Sequence, residues 1–299
     1  MKRDRIQVRV DDREIELSNL DKVLYPEVGF TKSEVIDYYT RIAPVLLPHL
    51  ADRPLTRIRY PNGVKAPGFF EKNAPVSRPD WVRLASIASP GSSSGRDVVD
   101  YIVVDDLATL VWLANLAALE LHVPQWKVDS SGPDLLVVDL DPGPPAGLAE
   151  CAEVALLLRE RLAEDGLNPL PKTSGKKGMQ LMCAVAGTQS SEQTSAYARR
   201  VAEQLERAHP RLVVSRMAKN LRPGKVFIDW SQNSAAKTTV APYSLRAQPT
   251  PTASAPLTWD EVEAGEVRQI DATEVLARVD DYGDLLAPLC RRGPRVPAP

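Results

Sequence analysis

The stretch Leu135-Leu136-Val137-Val138-Asp139-Leu140-Asp141-Pro142-Gly143 constrains this chain more than any other. An apolar run rich in β-branched residues and closed by Pro-Gly reads as a buried strand. Side chains alternate across a strand, so Asp139 and Asp141 share a face, about 7 Å apart. Two carboxylates so placed repel each other and lose solvation unless a cation lies between them. Hard divalent ions with oxygen ligands, Mg²⁺ or Mn²⁺, suit that arrangement. A strand that merely ends in a solvated Asp-x-Asp turn accounts for the same residues, and both readings stand here.

A second strand, Val226-Phe227-Ile228-Asp229-Trp230, also runs apolar into a carboxylate. Asp229 alone could cap a turn or pair with Arg222. Beside Asp139 and Asp141 it suggests a three-carboxylate site for two metal ions, the arrangement used in two-metal phosphoryl transfer. A triphosphate then needs a cradle. Thr173-Ser174-Gly175-Lys176-Lys177-Gly178 offers hydroxyls, ammonium groups and glycines whose backbone N–H groups can approach an anion. Its spacing is not that of a Walker A loop, and the same composition suits an ordinary turn. Arg222 and Arg246 could add forked contacts to phosphate.

Charge distribution points the same way. The net charge is −2, which argues against indiscriminate binding to long DNA. Three stretches, 53–59, 172–177 and 216–225, are locally basic and hold no acid. Basic patches around an acidic centre suggest a phosphate-rich ligand held at one site; taken singly, each is equally a solvated loop. The three cysteines fit neither a disulfide framework nor a zinc knuckle, and a reducing cytoplasm follows. There is no apolar segment behind the N-terminus that would make a signal peptide. The longest nearly apolar run, 107–119, is too short to span a bilayer.

Residues 6–17 read as a hairpin around Asp11-Asp12. Thr31-Lys32-Ser33-Glu34 has the form of a capping box, and the helix behind it carries Val35, Tyr38, Tyr39, Ile42 and Leu46 at helical spacing. Pro44 and Pro48 predict a kink or early end. Arg57 and Arg59 share one face of a strand at 55–60. Phe69 and Phe70 follow a Pro-Gly turn and point to opposite faces, so one can enter the core while the other stacks on a base. Residues 89–95 read as a flexible loop. Asp105-Asp106 caps a helix expected to run through Leu119. His122 lies on a short strand, as a core histidine often does. Residues 247–258 form an extended linker, 259–289 are weakly helical, and 291–299 form a flexible tail. Helices and strands mix without strict βαβ alternation, which predicts an α+β fold with largely antiparallel sheets flanked by helices.

Several segments together carry a resemblance. They are Leu20-Asp21-Lys22-Val23-Leu24-Tyr25-Pro26, Arg57-Ile58-Arg59-Tyr60-Pro61-Asn62-Gly63, Phe69-Phe70-Glu71-Lys72-Asn73, and Leu119-Glu120-Leu121-His122-Val123-Pro124-Gln125-Trp126. They continue in the Asp139-Leu140-Asp141-Pro142-Gly143 and 173–178 segments, in Phe227-Ile228-Asp229-Trp230-Ser231-Gln232-Asn233, and in the run from Lys237 to Arg246. In order and spacing they resemble the polymerase domain of bacterial ligase D and its stand-alone relatives, members of the archaeo-eukaryotic primase superfamily. The likeness covers about residues 6 to 290.

The resemblance implies a single primase-polymerase domain over 1–290. It implies template-directed nucleotidyl transfer at DNA breaks: gap filling and end extension, with primer synthesis left open. It implies two Mn²⁺ (or Mg²⁺) ions and a preference for ribonucleotides. Asp139, Asp141 and Asp229 then look like metal ligands. Ser174, Lys177, Arg222, Gln232, Arg246 and His122 look like contacts to the incoming nucleotide. Lys22 and Lys32 look like the pocket for a downstream 5′-phosphate, and Arg59, Phe69 and Phe70 like the template platform. The implied partners are gapped or broken DNA, NTPs or dNTPs, a Ku-like end binder and an ATP-dependent DNA ligase, for a monomeric, nucleoid-associated cytoplasmic protein. The 122–139 segment is short for this family, and Ile58 stands where some relatives carry a basic residue. No Lys-x-Asp-Gly ligase motif is present. Two rival readings are a metal-dependent phosphatase or nuclease, and a non-catalytic end-binding module that recruits a ligase.

Overall fold

Two sheets, each nucleated by strands that bury their apolar side chains, organise the chain. The structure, a computed structural model, describes residues 5–88 and 97–298; the loop expected at 89–95 lies outside them. Two compact units result, Met1–Val123 with Tyr243–Thr252 and Asp271–Gly283, and Pro124–Pro242 with Ala253–Ile270 and Asp284–Pro299. No helix among the described residues is long and apolar enough to cross a membrane.

In the first unit, β1 (Arg5–Val10) and β2 (Arg13–Ser18) form the expected hairpin. A second small hairpin, β3 (Val23–Tyr25) with β4 (Phe30–Thr31), leads into α1 (Lys32–Leu50). The capping box is formed: Glu34 N–H donates to Thr31 Oγ1, and Thr31 N–H donates to Glu34 Oε2 at 2.7 Å. The helix does not end early at its prolines but runs to Leu50. Ile42, Leu46 and Leu50 stay buried on both sides of Pro44 and Pro48, and that apolar burial offsets the missing backbone bonds.

The sheet of this unit is built on β5 (Pro54–Arg59). Strands β6 (Phe69–Glu71), β8 (Val98–Val103) and β9 (Ala118–Val123) all pair antiparallel with it, and β7 (Leu84–Ala88) extends it beyond β8. Helix α2 (Leu107–Asn115) is capped by Asp106, whose side chain accepts from Thr109 N–H at 2.7 Å. It ends four residues before the expected Leu119. Ala117 turns the backbone into the left-handed region at φ 57°, and 118–123 pairs with β5 instead. Leu119 and Leu121 are fully buried there, so sheet packing overrides helix propensity.

The second unit is a five-stranded sheet in the order β11 (Leu170–Thr173), β12 (Met179–Ala184), β10 (Leu135–Pro142), β14 (Val226–Asp229), β13 (Val213–Val214). Central β10 is antiparallel to both neighbours; only β13–β14 is parallel. Leu136, Val137 and Leu140 are fully buried. Helices α3 (Leu148–Glu164) and α4 (Ser191–Ala208) belong to the same unit. The architecture is the expected α+β one, with mainly antiparallel sheets.

Two segments expected to be loose are held. Within 247–258, Ala253, Ser254 and Ala255 are fully buried, and Thr173 N–H donates to Ala255 O at 2.8 Å. In the expected tail, Val296 is buried, its N–H donates to Gln189 Oε1 at 2.8 Å, and its carbonyl accepts from Gln189 Nε2 at 3.0 Å. A buried Gln that satisfies both backbone groups makes detachment costly.

Candidate active site

Antiparallel pairing places Asp139 directly opposite Asp229, and Asp141 opposite Phe227. Opposed residues share a face, so the three carboxylates lie on one side of the β10–β14 pair. On the other flank of β10, Gln180 stands opposite Asp139 and donates from Nε2 to Asp139 Oδ1 at 2.9 Å. Asp229 Oδ1 accepts from Ser231 N–H (3.0 Å) and Ser231 Oγ (2.6 Å), and its Oδ2 accepts from Gln232 Nε2 at 3.0 Å. Burial, then the charge of Asp141, pushes the Asp139 carboxyl up to about 7, with Asp229 adding to it and Gln180 and Lys172 opposing it.

β14 stops at Asp229, and a single 3-10 turn, Trp230–Asn233, follows. Asn233 then takes over the ladder: Val137 N–H donates to its Oδ1 at 2.9 Å, and its Nδ2 donates to Val137 O at 2.7 Å. A buried amide thus replaces a missing strand residue and anchors the turn that carries Ser231 and Gln232.

The 173–178 segment joins β11 to β12. Ser174 N–H donates to Gly178 O at 2.9 Å, and Ser174 Oγ accepts from Gly178 N–H at 3.1 Å and Lys176 N–H at 3.3 Å. Gly178 passes so close to β10 that a Cβ would lie 2.0 Å from Leu140 O. Only glycine lets this loop sit against the Asp-x-Asp strand. Lys177, largely exposed, reaches Asp141 Oδ1 at 3.7 Å. Arg222 stacks over Phe227 with its guanidinium carbon 3.7 Å from the ring centre, and its Nε is buried without a hydrogen-bond partner. Because Phe227 is opposite Asp141, Arg222 lies on the carboxylate face.

In the first unit, Tyr38 and Tyr25 donate to Tyr243 O (2.7 Å) and Arg246 O (3.1 Å), and Tyr39 donates to Leu119 O (2.6 Å) while accepting from Leu245 N–H (3.1 Å). These buried hydroxyls fix the segment that ends in Arg246. Glu120 then gathers three groups. Its Oε2 meets His122 Nε2 at 3.0 Å and Arg246 Nε at 3.3 Å, and its Oε1 accepts from Ala247 N–H at 3.0 Å. Burial would raise this carboxyl, but the His122 hydrogen bond and the charge of Arg246 hold it down at about 2.

Lys22 and Lys32 come together at the open end of the β3–β4 hairpin, where Lys32 N–H donates to Lys22 O at 2.8 Å. Lys22 Nζ donates to Asn62 Oδ1 at 3.4 Å, and Lys32 Nζ donates to Ser18 O. Burial, then the charges of Lys22 and Arg59, lowers the Lys32 ammonium to about 8. Arg59 stands opposite Phe69, donates to Leu116 O at 2.7 Å and pairs with Glu71 at 3.1 Å. Phe69 and Phe70 are 52% and 61% exposed, so neither is in the core, where the pair taken in isolation was expected; among the described residues β6 pairs only with β5.

Two of the three basic stretches change meaning. Arg57 is buried and paired with Glu71 at 2.6 Å, Arg53 is buried, and Lys172 is wholly buried. Sequence reasoning missed Gln180, Lys172, Glu120 and Asn233. The legible signal for the first two was a polar residue within each of two apolar strands. Among the described residues, no three His, Cys, Asp or Glu side chains converge closely enough to form a ready-made metal cage. The donor set still fits a hard divalent cation: all oxygen, half-buried, with the charged form of Asp139 disfavoured by burial and then by its acidic neighbours.

The fold and these side chains define a primase-polymerase type of nucleotidyl-transfer domain. The family model for the LigD primase-polymerase domain matches residues 31–286, and the chain belongs to that family. It is 48% identical over 278 residues to the multifunctional non-homologous end joining protein LigD of Mycolicibacterium smegmatis, covering 92% of this chain and 36% of that protein. It is 34% identical to the bifunctional non-homologous end joining protein LigD of Bacillus subtilis, covering 84% of this chain and 40% of that one. The chain therefore spans well under half of these curated relatives. Among solved structures, the polymerase domain of Mycobacterium tuberculosis ligase D in complex with DNA matches with a TM-score of 0.88 and 46% identity, over 92% of this chain and 98% of that one.

Proposed function

We propose that this chain performs template-directed nucleotidyl transfer at gaps and ends of broken DNA, and that a downstream 5′-phosphate marks its substrate. The observation that carries the reading is the register that sets Asp229 opposite Asp139, with Asp141 on the same face and Arg222 laid over Phe227 beside it.

In this reading Asp139, Asp141 and Asp229 hold two divalent cations, Mn²⁺ or Mg²⁺. Once bound, such ions supply positive charge to the attacking 3′-hydroxyl and to the triphosphate. The chain's own groups do the rest. Gln232 and Ser231 fix the Asp229 carboxylate, and Gln232 is also a contact to the incoming nucleotide. Lys177, exposed beside Asp141, the Ser174 hydroxyl and the guanidinium of Arg222 receive phosphate oxygens. His122 and Arg246, oriented by Glu120, are further contacts to the incoming nucleotide. Lys22 and Lys32 bind the 5′-phosphate; a dianion offsets the burial and the repulsion that together lower Lys32. Exposed Phe69 and Phe70 offer ring faces to template bases, with Arg59 in support. Ribonucleotides are the favoured substrates, and a Ku-like end binder and a ligase are the partners in end joining.

Primer extension on a short-gapped duplex tests this, with a 5′-phosphate downstream, Mn²⁺, and rNTPs and dNTPs in separate reactions. Templated addition that disappears in Asp139→Ala supports the reading. End binding without addition by the wild type transfers the chain to the recruitment-module reading, and release of nucleotides without added triphosphates transfers it to the nuclease reading.

A further inference from the structure

We propose that Lys172 and Gln180 are a positioning pair for Asp139, holding one carboxylate oxygen so that the other is presented to a divalent cation. This rests on the reading of Asp139 as a metal ligand.

Lys172 is 0% exposed and Gln180 5%. Lys172 Nζ donates to Gln180 Oε1, to Ser254 Oγ and to Val240 O, the last at 3.2 Å. Ser254 spends its own hydroxyl proton on Thr173 O at 2.9 Å, so it can only accept from Lys172. Val240 O is likewise an acceptor. The three contacts thus use the three protons of an ammonium group. That ammonium cannot accept, so the Gln180 amide must turn its oxygen to Lys172 and its NH₂ to Asp139. The donor at Asp139 Oδ1 follows, at 2.9 Å. Gln180 thereby engages Oδ1, and the proposal gives Oδ2 to the cation.

The register adds rigidity. Gln180 is paired with Asp139 across β10–β12 and with Lys172 across β11–β12. One row of three adjacent strands therefore carries Lys172, Gln180 and Asp139, and Asp229 continues it on β14. The row runs from a buried cation, through a neutral amide, to two carboxylates. Groups that orient a metal ligand from behind tune its affinity by about 10–100-fold.

Mn²⁺ binding to the free chain, followed by the electron paramagnetic resonance signal of unbound Mn²⁺, tests the pair. Gln180→Met keeps the length of the side chain and removes the donor; Lys172→Met removes the group that sets the amide's orientation. Both are expected to weaken Mn²⁺ binding about tenfold or more, with a thermal melting profile still cooperative for Gln180→Met. Extension by Gln180→Met is expected to recover as Mn²⁺ is raised, and that by Asp139→Ala is not. If Lys172→Met fails to fold, Gln180→Met alone decides. Wild-type Mn²⁺ affinity in Gln180→Met, with affinity lost in Asp139→Ala, overturns the proposal and leaves the reading of the site intact. Wild-type affinity in Asp139→Ala overturns that reading itself.

Discussion

Asp139 and Asp229 face each other across β10 and β14, and each is steadied from its own side: Asp139 by Gln180, Asp229 by Ser231 and Gln232. The pair is pre-arranged yet mutually repelling. That tension shapes how substitutions and pH should act on the chain.

Asp139→Asn should separate activity from stability. The folded carboxyl sits at about 7, against an ordinary value of about 3.9 for aspartate. A raised folded value means the native state holds its proton longer than the unfolded chain. The metal-free protein therefore loses stability as pH rises from about 4 through 7. Asn cannot ionise and escapes that loss. At pH 8, metal-free Asp139→Asn should melt a few degrees higher than wild type, at roughly 2–4 °C per kcal/mol, while extension falls more than about 100-fold. Calorimetry and primer extension on one preparation check both.

Recognition of a 5′-phosphate should fade with rising pH. Lys32 loses its charge around pH 8 because burial and two cationic neighbours oppose it. The preference for phosphorylated over unphosphorylated gaps should fall about tenfold between pH 7 and pH 9, at the low end of what losing one charge-assisted hydrogen bond costs. Lys32→Ala should lower the preference at pH 7 and flatten the profile. Fluorescence anisotropy with paired substrates measures this, and an unchanged preference at pH 9 would sink the assignment.

Glu120 should make the fold sensitive to acid. Its folded value of about 2 lies below the ordinary glutamate range. The resulting stability is complete above about pH 4.5 and drains away as pH falls through about 2. Glu120→Gln should remove that acid-limb dependence and destabilise the chain at pH 7, by on the order of 2–3 kcal/mol. Denaturant titrations at pH 3 and pH 7 should show the wild-type–variant gap shrinking at the lower pH.

Arg222→Lys should not be a mild change. Stacking over Phe227 needs a planar guanidinium, and a forked phosphate contact needs two donors. The nucleotide KM should rise about tenfold or more, equivalent to roughly 1.4 kcal/mol, with the fold's melting temperature little altered. Steady-state extension with varied nucleotide distinguishes this from a loss confined to kcat.

Much of this molecule was legible locally. The capping box at Thr31, the hairpin turning at Asp11-Asp12 and the shared face of Asp139 and Asp141 depend on periods of a few residues, which sequence spacing specifies directly. Residues that share a strand or a turn announce themselves that way. The run 107–119 did not, because its helix yields to a strand only when β5 is there to pair with it.

Sequence alone therefore determined many of the local elements, their apolar faces and the carboxylates that end two strands. Tertiary structure decided the rest through register and burial. Only pairing puts Asp229 opposite Asp139 rather than one residue away on the other face. Only packing turns Arg57 and Lys172 from surface charges into buried supports and leaves Phe69 and Phe70 exposed. Only the meeting of three strands lines Lys172, Gln180 and Asp139 into one row. Strand pairing and desolvation join residues far apart in the chain, and their energies depend on neighbours that no local window contains.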